Sequence, residues 1–333
     1  MTERSPMTQS AVTILTVTAN PSLDRTLELS APLHHGGVQR ATSVRAEPGG
    51  KGVNVARVVA EAGLSTRAVL PARTGDPLLT ALDDVALPYL TLPIEGEVRS
   101  NITVADPDGT TTKINAPGFA LVAAQADRLA ELVVENARGA RWVALCGSLP
   151  PGLPDDWYRT VIDALAEANC LVAVDTSGAP LAATVQGRVD LLKPNDEELA
   201  EATGVDPARL VGATAHGDYA PLIDAARTLV DRTGAAILAT LGAAGAMLIT
   251  DSGTWFATPP PIVPRSTVGA GDSALAGYLI AESRGDAAPD RLRTAVAYGS
   301  AATALAGTQP PRPDLLDLAG VSITDLSGAA QVG

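Results

Sequence analysis

From residue 120 onward, short apolar runs alternate with stretches of helical periodicity, and no other feature of the sequence constrains the fold as much. Segment 120–138 (ALVAAQADRLAELVVENAR) spaces its apolar residues as a helix does, and 141–147 (RWVALCG) is a short apolar run ended by Gly147. The pattern goes on through a helix over 154–168 with Pro154 and two acids in its first turn, and strand-then-turn units at 170–178 and 189–195. A short helix at 196–204 and strands at 235–242 and 246–250 follow. Short apolar strands separated by helices imply βαβ units and a mostly parallel sheet, which is the α/β class.

The first third of the chain is patterned differently. Residues 12–18 (VTILTVT) read as a buried strand and 53–63 (VNVARVVAEAG) as a helix. Segments 25–30, 40–47, 97–106 and 110–118 alternate polar and apolar residues at period two, the mark of strands with one wet face. Pro107-Asp108-Gly109 joins the last two as a hairpin turn. These pieces are discontinuous in sequence and so read as a small sheet projecting from the α/β body. The expected layout is a single domain over 12–320, a lid from about 25–47 and 97–116, and flexible tails at 1–11 and 325–333.

Composition removes several classes of function. The 333 residues are 46% hydrophobic, enough for a large core, yet no apolar run approaches the roughly 20 residues of a membrane span. The N-terminal MTERSPMTQSAVTILTV lacks a signal-peptide pattern, so a cytoplasmic protein is expected. A net charge of −13 disfavours nucleic acid and anionic membranes as partners. Cys146 and Cys170 have neither disulfide-scaffold nor zinc spacing and fall in apolar runs, and His34, His35 and His216 are scattered. Of the 24 basic residues only Lys51, Lys113 and Lys193 are lysines, each in a segment containing Gly, Asn or Pro. A phosphorylated small molecule could bind where such charges gather.

Six segments carry candidate chemistry. In 265–283 (RSTVGAGDSALAGYLIAES), Gly269, Ala270 and Gly271 precede an apolar helix, so main-chain N–H groups and the helix dipole converge on an anion pocket. Asp272 at its rim suits a general base beside a transferring phosphoryl group, though an Asp there also caps helices. A dinucleotide fingerprint would need Gly at position 274, which is Ala. In 47–63, Gly49, Gly50 and Gly52 surround Lys51 at the start of a helix; Arg45 and Gly52 break the Walker pattern, leaving either a ligand loop or a tight turn with a solvated lysine. Asp24, expected at the end of the first strand past an Asn-Pro turn, could accept sugar hydroxyls or simply form a turn. Arg99 and Lys113 lie on lid strands, where they could close over an anion or guard a sheet edge. Asn195 and Glu198, three apart at a helix start, could orient waters on Mg²⁺ or cap the helix. The run 239–247 (ATLGAAGAM) could lie flat along a nucleotide or form a hairpin turn.

Together and in this order, the segments resemble the ribokinase-like carbohydrate kinases (the PfkB family) over nearly the full length. GGKGVNVARVVAEAGLST is similar to the family's N-terminal signature and STVGAGDSALAGYL to its C-terminal one, with GSLPPGLP, DTSGAPL, KPNDEEL and TLGAAGAML between them. Lys51, NPSLD and the RSNIT and TKINAPG strands carry a narrower similarity to the hexose-phosphate branch of 1-phosphofructokinases, with tagatose-6-phosphate kinases close by. The resemblance implies a three-layer α/β/α sandwich with a small β lid, ATP as phosphoryl donor, and Mg²⁺. It implies Asp272 as catalytic base and Gly269, Ala270 and Gly271 as holders of the transferring phosphate. Asp24, Gly49, Gly50, Lys51, Asn54, Arg99 and Asn101 would hold the sugar phosphate. Lys193, Thr240, Leu241, Gly242, Ala243, Ala244, Gly245 and Gly271 would hold the nucleotide, and Asn195 and Glu198 would serve Mg²⁺. Ser266 stands where many relatives carry Asp, but Ser also occurs in the hexose-phosphate branch. The expected substrate is fructose 1-phosphate, with tagatose 6-phosphate and fructose 6-phosphate as alternatives; a nicotinamide-dependent dehydrogenase and a silent sugar-phosphate sensor are the rivals from other classes. Exposed lid strands also suggest a homodimer formed through the lid.

Overall fold

The computed structural model describes residues 12–328; of the expected tails at 1–11 and 325–333, the first and residues 329–333 of the second lie outside them, while Asp325 ends a strand. An apolar run that is buried on every residue, β1 (Ile14–Thr18), opens the described chain. The alternating segments that follow form β2 (Ser22–Leu29) and β3 (Ala41–Gly49), and the Gly-rich loop then starts α1 (Lys51–Glu61). Next come β4 (Thr66–Ala72), α2 (Pro77–Asp84), β5 (Tyr89–Pro93), β6 (Arg99–Ala105) and β7 (Thr111–Ile114). The α/β alternation continues as α3 (Ala123–Ala137), β8 (Trp142–Cys146), α4 (Trp157–Ala164), β9 (Leu171–Asp175) and α5 (Gly178–Thr184). Then follow β10 (Leu191–Leu192), α6 (Asp196–Thr203), α7 (Pro207–Ala215), α8 (Ala220–Thr233), β11 (Ala236–Thr240) and β12 (Ala246–Thr250). The chain closes with β13 (Gly253–Thr258), α9 (Ala270–Ser283), α10 (Ala288–Thr303) and β14 (Ser322–Asp325).

Ten strands make one sheet, ordered β14-β13-β12-β11-β10-β9-β8-β1-β4-β5, parallel from β11 to β5 and antiparallel at the other edge. Alternate strand residues feed opposite cores. Leu15, Val17, Val143 and Leu145 pack with α3, α4, α6 and α8, whereas Ile14, Ala144 and Cys146 pack with α1, α9 and α10. Both faces are therefore covered by helices, giving the expected three-layer α/β/α sandwich. The second sheet, β3-β2-β6-β7, has four strands, with β2 and β6 parallel.

Several boundaries differ from the sequence reading for local reasons. The helix over 154–168 begins only at Trp157, because Pro154, Asp155 and Asp156 form the turn before it. Strand β10 spans two residues, since Pro194 has no N–H to continue the ladder. The body runs past residue 320, because β14 adds a third strand to the antiparallel edge at Ser322–Asp325. Asp24 is not at the end of β1, which stops at Thr18, but is the third residue of β2 in the lid. Cys146 is buried and Cys170 half-buried, and both are free thiols. Among the described residues no helix is long and apolar enough to cross a membrane.

Candidate active site

Parallel strands β1, β8, β9, β10 and β11 are sheet neighbours, and the segments leaving the C-terminal ends of β10 and β11 carry Lys193, Asn195, Glu198 and the turn from Leu241 to Gly245. Open α/β sheets bind ligands at this edge. A cleft of about 420 Å³ opens there between the body and the lid. One face of the lid sheet lines it at period two, with Ser22, Asp24, Thr26 and Glu28 from β2 and Arg99, Asn101, Thr103 and Ala105 from β6. The floor carries Lys51, Asn54 and Asp272.

Asp272 does not cap its helix. The N-cap of α9 is Gly269, at φ 77°, and Asp272 is the third helical residue, only 7% exposed. A left-handed N-cap favours glycine, because a Cβ would clash with its own backbone. The N–H groups of the first turn of a helix have no acceptor within the helix, which leaves them available to a ligand. The Asp272 Oδ2 accepts a hydrogen bond from Asn54 Nδ2 at 2.8 Å. Burial pushes the carboxyl up to about 6 and the charge of Asp175 pushes the same way, while Lys51, the Asn54 hydrogen bond and Lys193 pull back. The group is mostly ionised at neutral pH and more basic than a solvated aspartate, as a general base requires.

The GGKG loop is held tightly. Gly50 has φ 103°, and a Cβ there would lie 2.7 Å from Thr18 Cγ2, so the loop fits against β1 only without a side chain. Gly49 backs directly onto the Asp24 carboxylate. Lys51 turns inward and donates to Asp175 Oδ1 at 2.6 Å, with Glu198 Oε1 4.0 Å away. Burial alone would push this ammonium down, but Asp175, Asp272 and Glu198 hold it well above its ordinary value. Lys193 Nζ lies 3.1 Å from the other Asp175 oxygen as an ion pair, and stands 3.4 Å from where a Cβ on Gly271 would be. Both lysines therefore meet on one carboxylate beside the start of α9.

Asp175, the centre of this arrangement, escaped the sequence reading. It is fully buried, and burial would raise its pKa, yet Lys193 and Lys51 hold it below the usual carboxylate value. An acid ending a buried parallel strand was the available signal, the same one applied to Asp24. Asn20 and Ser148 were also missed; Asn20 Nδ2 reaches Pro117 O at 3.0 Å and Ser148 Oγ at 3.3 Å, tying the exits of β1 and β8 together.

The lid residues converge too. Asp24 Oδ1 accepts from Asn101 Nδ2 at 3.0 Å and from Ser22 Oγ at 2.7 Å. Arg99 donates to Ala116 O at 2.9 Å and Asn20 O at 3.1 Å, pinning the lid to the exit of β1. Burial lowers its pKa, with Asp24 opposing. Lys113 lines the cleft from β7. Asn195 and Glu198 form a reciprocal capping box at the start of α6. Glu198 N–H donates to Asn195 Oδ1 at 2.7 Å and Asn195 N–H to Glu198 Oε2 at 2.9 Å. Neither side chain lines the cleft, but Glu198 Oε1 remains 4.0 Å from Lys51, which does. Thr240 bridges to Asn195, and Leu241 to Gly245 follow β11 as a tight turn whose Gly242, Ala243 and Ala244 are exposed. That turn lies at the same sheet edge but does not line the cleft.

A three-layer sandwich with a lidded cleft, a buried carboxylate and a helix-start anion cradle defines a kinase of small molecules. A model of the pfkB family carbohydrate kinases matches residues 17–315, and the chain belongs to that family. It is 33% identical to the ATP-dependent 6-phosphofructokinase isozyme 2 of Escherichia coli K12, covering 90% of this chain and 94% of that one. It is 35% identical to the 1-phosphofructokinase of Haloferax volcanii, covering 92% and 95%. The crystal structure of Escherichia coli phosphofructokinase-2 in complex with substrates and products superposes with a TM-score of 0.82 at 32% identity, covering 91% and 97%. The chain is thus a phosphofructokinase-type sugar-phosphate kinase, a family membership that replaces both the dehydrogenase and the sensor readings.

Asp272→Asn is expected to lower kcat roughly a hundred- to ten-thousand-fold with little change in KM, measured by coupled ADP release. In the unmodified enzyme kcat/KM should fall as pH drops through about 6. Because folding raises this pKa above the ordinary 3.8, ionised Asp272 destabilises the fold above pH 6, and the penalty fades toward pH 4. The Asn variant should therefore melt higher than the parent at pH 8 and equally at pH 4. Asp175→Asn removes the anion that raises Asp272 and frees both lysines to pull it down, so the acid limb should shift below pH 6. Loss of the buried partner should also cost about 3 kcal/mol or more in chemical denaturation.

Proposed function

We propose that this kinase transfers the γ-phosphoryl group of ATP to the 6-hydroxyl of fructose 1-phosphate, giving fructose 1,6-bisphosphate and ADP. The observation that carries this reading is the placement of buried Asp272 on the floor of a cleft whose roof presents Asp24, Asn101 and Arg99. Asp24 and Asn101 suit sugar hydroxyls, and Lys51 and Arg99 suit an anionic substrate. The sugar hydroxyl gives its proton to Asp272 as its oxygen bonds to the γ-phosphorus, and the bond from that phosphorus to the β,γ-bridging oxygen breaks. With a loose transition state the chain's work is positioning and charge neutralisation. The N–H groups of Gly269 to Gly271 and the Lys193 ammonium would hold the transferring group, and the turn from Leu241 to Gly245 the nucleotide.

Mg²⁺ fits this site as a partner brought with the nucleotide. Lys51 and Lys193 are both paired with the Asp175 carboxylate, so part of their charge is already neutralised and an entering polyphosphate gains from an added cation. Among the described residues no cluster of three or more acids, His or Cys could cage a cation. Glu198 Oε1 is the oxygen left by the capping box, enough for an ion that keeps its waters and leans on substrate phosphates. When bound, Mg²⁺ supplies neutralisation of the phosphate charge.

We also propose a homodimer through the lid. The lid face turned away from the cleft carries a group of apolar residues beside Arg25, Ser100 and Thr112. Leu27, Val44 and Val104 are aligned in one row, Ile102 and Ile114 in the next, and Val44 and Ile114 are each 59% exposed. A second copy covering this face would hide it from water. Light scattering at micromolar concentration should report a dimer, and a monomer would refute this assembly.

For the activity, coupled assays with fructose 1-phosphate, fructose 6-phosphate and tagatose 6-phosphate are the test. The highest kcat/KM is expected with fructose 1-phosphate. A preference for either 6-phosphate would overturn the substrate and leave the phosphoryl-transfer chemistry standing.

A further inference from the structure

We propose that Arg57 is a positioning residue of this reaction: it clamps the lid at a fixed height above Asp272 and so sets the affinity for the sugar phosphate. This rests on the reading of the cleft as a sugar-phosphate site. Arg57 lies on α1 and is only 7% exposed, where a long cationic side chain would ordinarily extend to water. Its guanidinium instead ties α1 to two other segments. Nη1 donates to Pro48 O at 3.3 Å on β3, and to Thr308 O at 3.1 Å and Thr308 Oγ1 at 3.4 Å in the loop after α10. Nη2 donates to Glu47 Oε1 at 3.4 Å, and Thr308 Oγ1 donates to Glu47 Oε2 at 3.4 Å.

The clamp acts on the roof of the cleft. Glu47 and Thr308 both line the cleft, and Glu47 stands opposite Asp24 in the β2–β3 register. Asp24 in turn stands opposite Asn101 on β6, which donates to it. A grip on Glu47 and Pro48 is thereby passed across three lid strands to the groups that face the sugar. The same helix holds the base, because Asn54, three residues earlier, donates to Asp272. The height of the roof above the base is thus fixed by less than one turn of helix, about 4.5 Å of rise.

The chemistry of the side chain supports a positioning role over simple packing. Val55, Val58 and Val59 around it already supply the apolar face of α1. A buried cation adds cost unless its donors are matched, and a nonpolar residue would fill the space more cheaply. A guanidinium can meet carbonyls on two segments and a carboxylate at once, whereas an ammonium presents a single point.

The test compares Arg57→Lys, Glu47→Gln and the double variant with the parent. Each folded variant is expected to raise the KM for the sugar phosphate about tenfold, equivalent to 1.4 kcal/mol, with the KM for ATP nearly unchanged. The double variant should be no worse than the poorer single one, because both break the same link. Amide hydrogen exchange should quicken in β2 and β3 and stay unchanged in β8 and α9. A folded Arg57→Lys enzyme with parental sugar KM, or with both KM values raised in parallel, overturns the proposal. If Arg57→Lys does not fold, Glu47→Gln decides in the same way. If the parent phosphorylates none of the three sugars, the substrate reading is what fails, and the exchange comparison alone then decides whether Arg57 holds the lid.

Discussion

A carboxylate with no exposure to water sits at the centre of this molecule, and the site is arranged to keep it charged. An ion moved from water into a protein interior loses several kcal/mol of solvation even after relaxation, so Asp175 requires close counter-charges. Lys51 and Lys193 supply them from two different segments, the Gly-rich loop before α1 and the exit of β10. The loop and the strand end are therefore held together by electrostatics across β9. The same anion stands near enough to Asp272 to make that group a stronger base. One buried charge thus positions two cations suited to phosphates and tunes the group suited to take a proton.

Helix α1 turns this local arrangement into a lidded cleft. Successive residues along it face different partners: Lys51 meets Asp175, Asn54 meets Asp272, and Arg57 meets the lid and the loop after α10. A helix is stiff over two turns, so these partners cannot shift independently. Lid sheets joined to a body only by chain crossings would be free to tilt. Here Arg99, at the start of β6, pins the lid to Asn20 O and Ala116 O, so the roof is held on both flanks of the first residues of β2. A closed roof excludes water from a phosphoryl group in flight, which protects ATP from hydrolysis.

The parts of this design that follow a period were legible in the sequence. Alternating apolar runs and helices specified the parallel sheet, and period-two segments specified the lid, because burial on one or two faces writes itself into spacing. Gly269 to Asp272 and the GGKG loop were also readable, since left-handed turns and close backbone approach demand glycine. What escaped is what depends on pairing across long separations. Asp175 gives no local sign that two lysines, 124 residues before it and 18 after it, will converge on it. Asp24 was placed one strand too early because the chain crosses from body to lid within three residues, a change of sheet that no periodicity marks. Asn195 and Glu198 read as holders of Mg²⁺ waters or as a helix cap, and the structure uses them as a cap while leaving one Glu198 oxygen 4.0 Å from Lys51.

The scarcity of lysine becomes intelligible at this point. Arginine supplies nearly all the cationic charge of the chain, yet both groups on Asp175 are lysines. A guanidinium facing a carboxylate tends to form a planar, two-bonded pair that engages both oxygens. An ammonium engages a single oxygen and keeps other donors directed elsewhere, so Lys51 can hold Asp175 while presenting charge toward Glu198 and the cleft, and Lys193 can do so beside Gly271. A site that must anchor cations on a buried anion and still offer them to an incoming phosphate has a physical reason to choose lysine, even in a chain that otherwise uses arginine.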